Sequence, residues 1–432
     1  DIAKQIGDAK ASLGMTVTDE EREDALRSQV TKLCKEIDLD QSTALKFLNF
    51  LFNESVKVQS DNKQTHLSVF LKAKALEEEG KKIIHLEVGE PDFKPPKEVK
   101  TALEEVYDKG YGKYGPAKGI TELRKALANW ETDSAHNKPR LSEENIMVCP
   151  GARFAVYLAI TTLLNPGDEI IVIEPAWPAY KDCALNAGIK VRTIKTTLET
   201  KWEPSIDQIN NAVNENTKMI VLNSPNNPTG KILPKILLGS IMETAEEHNL
   251  YVLSDEIYEE YSNDDWRSAS IYSYEKSIIT KSFSKSHAMT GYRIGYAIAE
   301  PSIIEKMSKL QALSLTNVSE PIQYVALQAF KADTSQNTKI IKSRLDVLVK
   351  SAKDIGLEFV EPDGAMYLFA KTKYKNFDAT KFSEKLLEHG VAIAPGEGFG
   401  DYKEFFRITA IDETRLKEGM IILDTVLKES YE

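Results

Sequence analysis

Four short segments hold residue types from which a covalent and proton-transfer site could be built. Lys285 closes Ser282-Phe283-Ser284-Lys285 just after the apolar run 277–280, and Arg293 follows eight residues on. Asn226-Asn227-Pro228-Thr229-Gly230 follows the run 219–222, and Ser254-Asp255-Glu256-Ile257-Tyr258 follows the run 251–253. Pro150-Gly151-Ala152-Arg153 stands just before a helical segment. A lysine amine attacks carbonyls and carries protons. A buried carboxylate holds a cation, and a helix N-terminus beside a cation holds an anion. Singly, each segment has a plainer reading: a surface lysine, an Asn-Pro-Thr-Gly turn, a helix-capping aspartate, a tight glycine bend. Their shared position at strand ends, in this order, sets them apart.

The elements that must position them follow an α/β rhythm. Short apolar runs at 170–173, 219–222, 251–253 and 277–280 alternate with amphipathic helical segments such as 235–248. That rhythm predicts a largely parallel sheet, which binds ligands at the C-terminal edge of its strands. An α+β segment follows from about 335. Residues 1–59 read as all-helical and contain no proline. Ile2 and Ile6 share a helix face, Gly14 reads as a stop, and Thr18 with Glu21 forms a capping box for a helix to Lys35. A third helix starts at Asp40, with Leu45, Leu48, Phe52 and Val56 on one stripe. The polar run 60–65 reads as a linker.

Composition narrows the class. The chain has 432 residues, enough for two to four folding units, with 42% hydrophobic and 28% charged residues. Lys and Arg number 55 against 66 Asp and Glu, a net charge of -11, which argues against nucleic acid or an anionic membrane as the main partner. Cys34, Cys149 and Cys183 are too few and too scattered for a disulfide framework or a metal site. No apolar run reaches the roughly 18 residues of a membrane helix. Nothing at the N-terminus reads as a signal peptide, so a cytoplasmic protein is expected. Asp1 opens in the middle of a helical pattern, so residues before it are expected in the full gene product.

Together the segments resemble the fold-type I pyridoxal-phosphate (PLP) aminotransferases of class I/II. The likeness spans residues 66–430 and also draws on Val88-Gly89-Glu90-Pro91-Asp92-Phe93, Lys113-Tyr114, Pro166-Gly167-Asp168-Glu169 and Phe406-Arg407-Ile408. It implies a large domain (115–325) with a mostly parallel seven-stranded sheet, and a smaller α+β domain (66–114 plus 326–432). It also implies roles. Lys285 holds the cofactor aldehyde, exchanges it with a substrate amine, and then moves the proton from the substrate Cα. Asp255 faces the ring nitrogen, and Asn227 and Tyr258 donate to the phenolic oxygen. The backbone amides of Ala152 and Arg153, with Ser282 and Arg293, take the phosphate. Trp177 stacks on the ring. Gly89 lies at the substrate, and Arg407 forks onto its α-carboxylate. Tyr114 reaches the phosphate from a partner subunit, so a homodimer with active sites at its interface is expected. One branch, which includes bacterial aspartate and prephenate aminotransferases, has a lysine at position 153 for a second substrate carboxylate and a hydroxyl where Ser68 stands. Arg153 keeps the charge, which favours dicarboxylates; its plainer reading is a pair with a neighbouring acid.

Residues 1–59 resemble the helical type II chorismate mutases. The likeness rests on Ile6-Gly7-Asp8-Ala9-Lys10, on Val17-Thr18-Asp19-Glu20-Glu21-Arg22-Glu23 and on Glu54-Ser55-Val56-Lys57-Val58-Gln59. It implies that Lys10 and Gln59 address the breaking ether oxygen, Arg22 a carboxylate and Glu23 the hydroxyl, with Asp19 and Ser55 in support. Such a site only holds and orients its substrate through a pericyclic shift. The family's first helix, with its carboxylate-gripping arginines, is mostly missing; with those turns present an active mutase is expected. The fusion points to aromatic amino-acid synthesis, with prephenate, aromatic 2-oxo acids or aspartate and glutamate with 2-oxoglutarate as substrates. Alternatives are a general aspartate aminotransferase whose helical unit only dimerises, and a PLP lyase or decarboxylase on the same scaffold. A DNA-binding regulator conflicts with the acidic N-terminal helices. A nicotinamide enzyme would rest on Gly396-Glu397-Gly398-Phe399-Gly400, which opens no strand–turn–helix unit and is expected to shape a loop beside Arg407.

Overall fold

Strands buried on both faces have no polar side to show, which is why these runs are short and almost wholly apolar. In the computed structural model they form strands where the sequence places them. The structure describes residues 20–36, 41, 44, 45, 48 and 52, then 66–134 and 140–431. The chain divides into two units, Asp1–Thr65 and His66–Glu432.

In the first unit Glu20–Glu36 is a helix of 17 residues. The described positions from 41 to 52 are also helical. The Gln41 amide donates to the Thr31 hydroxyl (3.3 Å), and the Arg27 guanidinium lies 5.3 Å from the Phe52 ring centre. Arg22 and Glu23 fall on the helix, but their side chains are not described. Lys10, Asp19, Ser55 and Gln59 lie outside the described residues.

The second unit begins with a two-residue strand, β1 (Ile84–His85). Seven strands follow in one sheet: β2 (Ile146–Cys149), β3 (Glu169–Glu174), β4 (Lys190–Lys195), β5 (Thr217–Asn223), β6 (Tyr251–Asp255), β7 (Ser277–Ser282) and β8 (Gly295–Ile298). Their spatial order is β2-β8-β7-β6-β5-β3-β4. Only β8 runs against its neighbours. The period of two along each strand sends alternate residues to opposite cores. Val148, Ile171, Ile220, Leu222, Val252 and Ile279 join one core, covered by helices Lys97–Asp108, Thr121–Ser134, Lys235–Glu247 and Glu320–Ala329. Met147, Ile170, Val172, Met219, Leu253 and Ile278 join the other, under helices Ala152–Leu163, Ala179–Asn186 and Pro301–Leu315. Val99, Ala102 and Val106 sit in the first of these cores. Helix Lys97–Asp108 therefore packs with the large sheet, which corrects the expectation that all of 66–114 belongs to the smaller layer.

The remaining strands are β9 (Glu358–Phe359), β10 (Tyr367–Lys371), β11 (Val391–Ala392), β12 (Ala394–Pro395) and β13 (Phe405–Thr409). Four form an antiparallel sheet in the order β12-β13-β10-β9, while β1 pairs parallel with β11. Helices Ser335–Asp354, Ala379–Glu388 and Glu413–Tyr431 close a third core over this sheet. In β13, Phe406 and Ile408 point into that core. Alternation then sends Arg407 to the opposite face, toward the ends of the large sheet. Phe406 is fully buried beside the Phe377 and Phe382 rings. Phe406→Ala is expected to cost about 3–5 kcal/mol, the usual cost of deleting a buried ring. Urea unfolding measures it, and a loss under about 1 kcal/mol would contradict this packing.

Candidate active site

Strands β5, β6 and β7 are neighbours in the sheet, so residues just past their C-terminal ends converge although the sequence separates them. A cavity of about 390 Å³ opens there, and Ala152, Arg153, Trp177, Asn227, Asp255, Tyr258, Ser282, Lys285, Arg293, Arg407 and Gly89 all line it.

Asp255 ends β6 and is buried. One carboxylate oxygen accepts a 2.6 Å hydrogen bond from the Tyr180 hydroxyl, while Oδ1 is buried without a partner. Burial pushes this carboxyl up to about 6, against the lowering effects of Tyr180, the Ile257 amide and the Thr280 hydroxyl. Asn227 is set by the turn before it. The Asn226 side chain accepts from the Thr229 amide (3.1 Å) and hydroxyl (2.8 Å), and the Asn227 amide donates to the Asn223 side chain (2.8 Å). Gly230 closes the turn at φ 70°, where a side chain would run into Pro362. The Asn-Pro-Thr-Gly segment is thus both a turn and a site element.

Lys285 stands just beyond β7. Its Nζ donates to the Gly89 carbonyl and lies 5.8 Å from the Tyr258 ring centre. Ser282, the last residue of β7, donates its hydroxyl proton to the Ile294 carbonyl (3.1 Å) and lies 2.8 Å from the Ser284 hydroxyl, from which it can accept. Helix Ala152–Leu163 begins here with Gly151 as its N-cap and no side chain capping it, so its first amides are open to an anion. Gly151 holds φ 85°, and a Cβ there would collide with the Arg293 guanidinium. Partial burial first, and then the Arg153 charge, pull the Arg293 guanidinium below its ordinary value. The Arg293 cation and a free helix N-terminus at one end of a cavity fit a phosphate.

Arg407 comes from β13 and is buried. It donates to the Asn227 side-chain oxygen (2.8 Å) and to the Glu87 carbonyl. Its guanidinium lies 4.3 Å from the Tyr367 ring centre and 5.1 Å from that of Phe399. Its Nε has no partner. Gly396–Phe399 forms a single helical turn, so the glycine cluster shapes the loop beside Arg407, as its sequence context implies. The Arg153 guanidinium rests 4.7 Å from the Trp177 ring centre.

Two expected site residues stand apart. Tyr114 is 89% exposed and is not on the cavity wall. Ser68 is half-buried on helix His66–Glu78, whose Leu67 and Phe70 line the cavity instead. The structure adds Tyr180 and Tyr367, which sequence reasoning missed. The Tyr367 hydroxyl is 2.6 Å from that of Tyr258, and a Cβ on Gly89 would overlap it, so Gly89 must be glycine for the two to meet. Among the described residues no cluster of His, Cys, Asp and Glu could hold a metal ion, and no helix is long and apolar enough to cross a membrane.

The chain resembles known proteins over both of its units. The aminotransferase class I and II family model matches residues 81–421, and the chorismate mutase type II model matches residues 1–60. An aspartate aminotransferase of Thermotoga maritima is 36% identical over 332 residues, 76% of this chain and 87% of its own length. An aspartate/prephenate aminotransferase of Thermus thermophilus is 33% identical over 374 residues, 85% of this chain and 96% of its own. A solved structure of the Thermus thermophilus aspartate aminotransferase with maleate superposes with a TM-score of 0.81 at 32% identity, covering 85% of this chain and 97% of that one. The chain belongs to the class I and II aminotransferases. It is a PLP-dependent enzyme that carries a chorismate mutase type II domain at its N-terminus.

The residues fit PLP. The buried, unpartnered Asp255 Oδ1 suits a protonated ring nitrogen, and the cradle at Gly151 suits the phosphate. When bound, PLP supplies an aldehyde that exchanges amines and a ring that takes up electron density. The Lys285 amine lines the same cavity and is held there by the Gly89 carbonyl. Burial and the neighbouring Tyr367 keep the Tyr258 phenol protonated, so it remains a donor. Trp177 and Tyr180 line the cavity.

Without cofactor, Asp255 weakens the fold at neutral pH. An acid whose pKa is raised from 3.8 to about 6 favours its neutral form in the fold. The stability it contributes is present below about pH 4 and lost as pH rises through about 6. Asp255→Asn cannot ionise, so the cofactor-free variant is expected to exceed the cofactor-free parent by on the order of 2–3 kcal/mol at pH 7.5. Near pH 4 the two should be nearly equal. Urea unfolding at both pH values checks it; one constant difference would contradict the shift.

Proposed function

We propose that the His66–Glu432 unit transfers amino groups between amino acids and 2-oxo acids of the aromatic pathway, with the dicarboxylate prephenate as its main acceptor. The Asp1–Thr65 unit makes that prephenate from chorismate. The observation that carries the reading is the pair of guanidiniums on one cavity, Arg407 and Arg153, in a chain whose first sixty residues match a mutase. Arg407 has a free Nε and a planar fork for the carboxylate next to the amine. Arg153, held against Trp177, offers a second cation that a monocarboxylate would leave unused. The names of the two Thermus thermophilus relatives support this, one acting on prephenate and the other seen with maleate, itself a dicarboxylate.

The assignments of Lys285 to proton transfer, Asp255 to the ring nitrogen, and Asn227 and Tyr258 to the phenolic oxygen are part of this reading. So is a cytoplasmic homodimer in which Tyr114, far from its own cavity wall, completes the partner's phosphate site. The sequence-derived mutase roles of Lys10, Arg22, Glu23 and Gln59 are retained.

With glutamate as donor, kcat/KM is expected to be highest for prephenate among prephenate, phenylpyruvate and oxaloacetate. A preference for oxaloacetate would make this a general aspartate aminotransferase. Arg153→Ala is expected to lower kcat/KM for the dicarboxylates by on the order of 10–100-fold, the worth of a charge-assisted contact, and for phenylpyruvate by less than about threefold. Equal losses on both would remove Arg153 from substrate binding.

A further inference from the structure

A buried ammonium lies directly behind the cofactor cavity. Lys281 is the penultimate residue of β7, next to Ser282, and strand alternation points its side chain away from the cavity. Its Nζ sits 2.9 Å from Glu131 and 2.6 Å from Glu259. The Lys281 side chain is 5% exposed and that of Glu131 fully buried. The Tyr296 hydroxyl donates to Glu131 (2.8 Å). Glu131 belongs to helix Thr121–Ser134, Tyr296 to β8, and Glu259 follows Tyr258 directly. One ammonium therefore joins a helix, two strands and the turn that carries Tyr258. Burial alone would strip Lys281 of its proton, but the carboxylates around it outweigh burial and hold it charged.

On this side the strand end faces open volume. A second cavity of about 840 Å³ is lined by Glu259, Lys281 and Tyr296, and Ile257 and Ser282 line both cavities. These two residues belong to the wall between them. Tyr258 itself packs with Tyr261, Met366 and Tyr367, and the β6–β7 ladder pairs Asp255 with Thr280, so polar contacts are left to hold the side of the strand end that faces the second cavity. An ion pair in such a place is weak evidence for stability and better evidence for fixed geometry.

We propose that the Lys281–Glu259 pair is a positioning device that sets Tyr258 and Ser282 at the spacing the cofactor requires across its phenolic oxygen and its phosphate. Neither residue touches the cofactor. The inference rests on the reading of the Lys285 cavity as the PLP site.

The test uses the full chain with added PLP. Glu259→Ala leaves Lys281 paired with Glu131, so no buried charge is stranded. Its dissociation constant for PLP is expected to rise about tenfold. The pH midpoint of the bound cofactor's visible absorbance should shift as Tyr258 moves. Glu259→Gln keeps an oxygen for Lys281 and should restore both. A folded Glu259→Ala protein with parental affinity and midpoint overturns the proposal, as does a Gln variant no better than Ala. If Glu259→Ala does not fold, Glu259→Asp, which shortens the tie by one methylene, should show the same two changes, and parental values there overturn it equally. A parent chain with no visible band on adding PLP overturns the cofactor reading itself, and this inference with it.

Discussion

Asp255 carries a cost that the rest of the chain does not offset. Its carboxylate ends a central strand, out of water, with one oxygen satisfied by Tyr180 and Oδ1 short of a full hydrogen bond, the Ile257 amide and Thr280 hydroxyl offsetting its burial only in part. An unpaired buried acceptor of this kind is expensive unless a cation meets it. The surrounding structure makes sense as an arrangement for delivering that cation and holding what is attached to it. β5 and β7 flank β6 and bring Asn227 and Lys285 to either side. The glycine at 151 lets a helix N-terminus and Arg293 close in at one end, and the second sheet brings Arg407 in at the other.

The same constraint explains where polar contacts replace packing. Strand interiors are apolar on both faces, and their cores are closed by helices. At the strand ends apolar packing gives way to hydroxyl and amide contacts: Tyr258 to Tyr367, Asn227 to Arg407, Ser282 to Ser284. Each fixes a donor direction that a hydrophobic contact would leave loose. Arg407 combines both modes, with two hydrogen bonds in its plane and aromatic rings beside it. Two of its five N–H donors are used within the protein, and its Nε is left without a partner.

Much of this is legible in the sequence because doubly buried strands read as unbroken apolar runs, and site residues sit just past them. Lys285, Asp255 and Asn227 are found that way. Tyr180 and Tyr367 are not, since an aromatic on a helix or strand looks like core until the fold sets it beside a carboxylate or a guanidinium. Lys281 is missed for a different reason. A charged residue ends an apolar run to the eye, so β7 reads as stopping at 280, whereas it continues to Ser282 because the buried Glu131 and the half-buried Glu259 accept the charge. Helix Lys97–Asp108 is misplaced because its apolar stripe shows that it packs, but not against which sheet.

The central claim is that the Lys285 amine is what holds PLP. Borohydride reduction of the PLP-loaded chain, followed by peptide mapping, tests it directly. A pyridoxyl adduct on Lys285 alone is expected. An adduct on any other lysine, or an unmodified Lys285 in protein that has visibly taken up the cofactor, would contradict it.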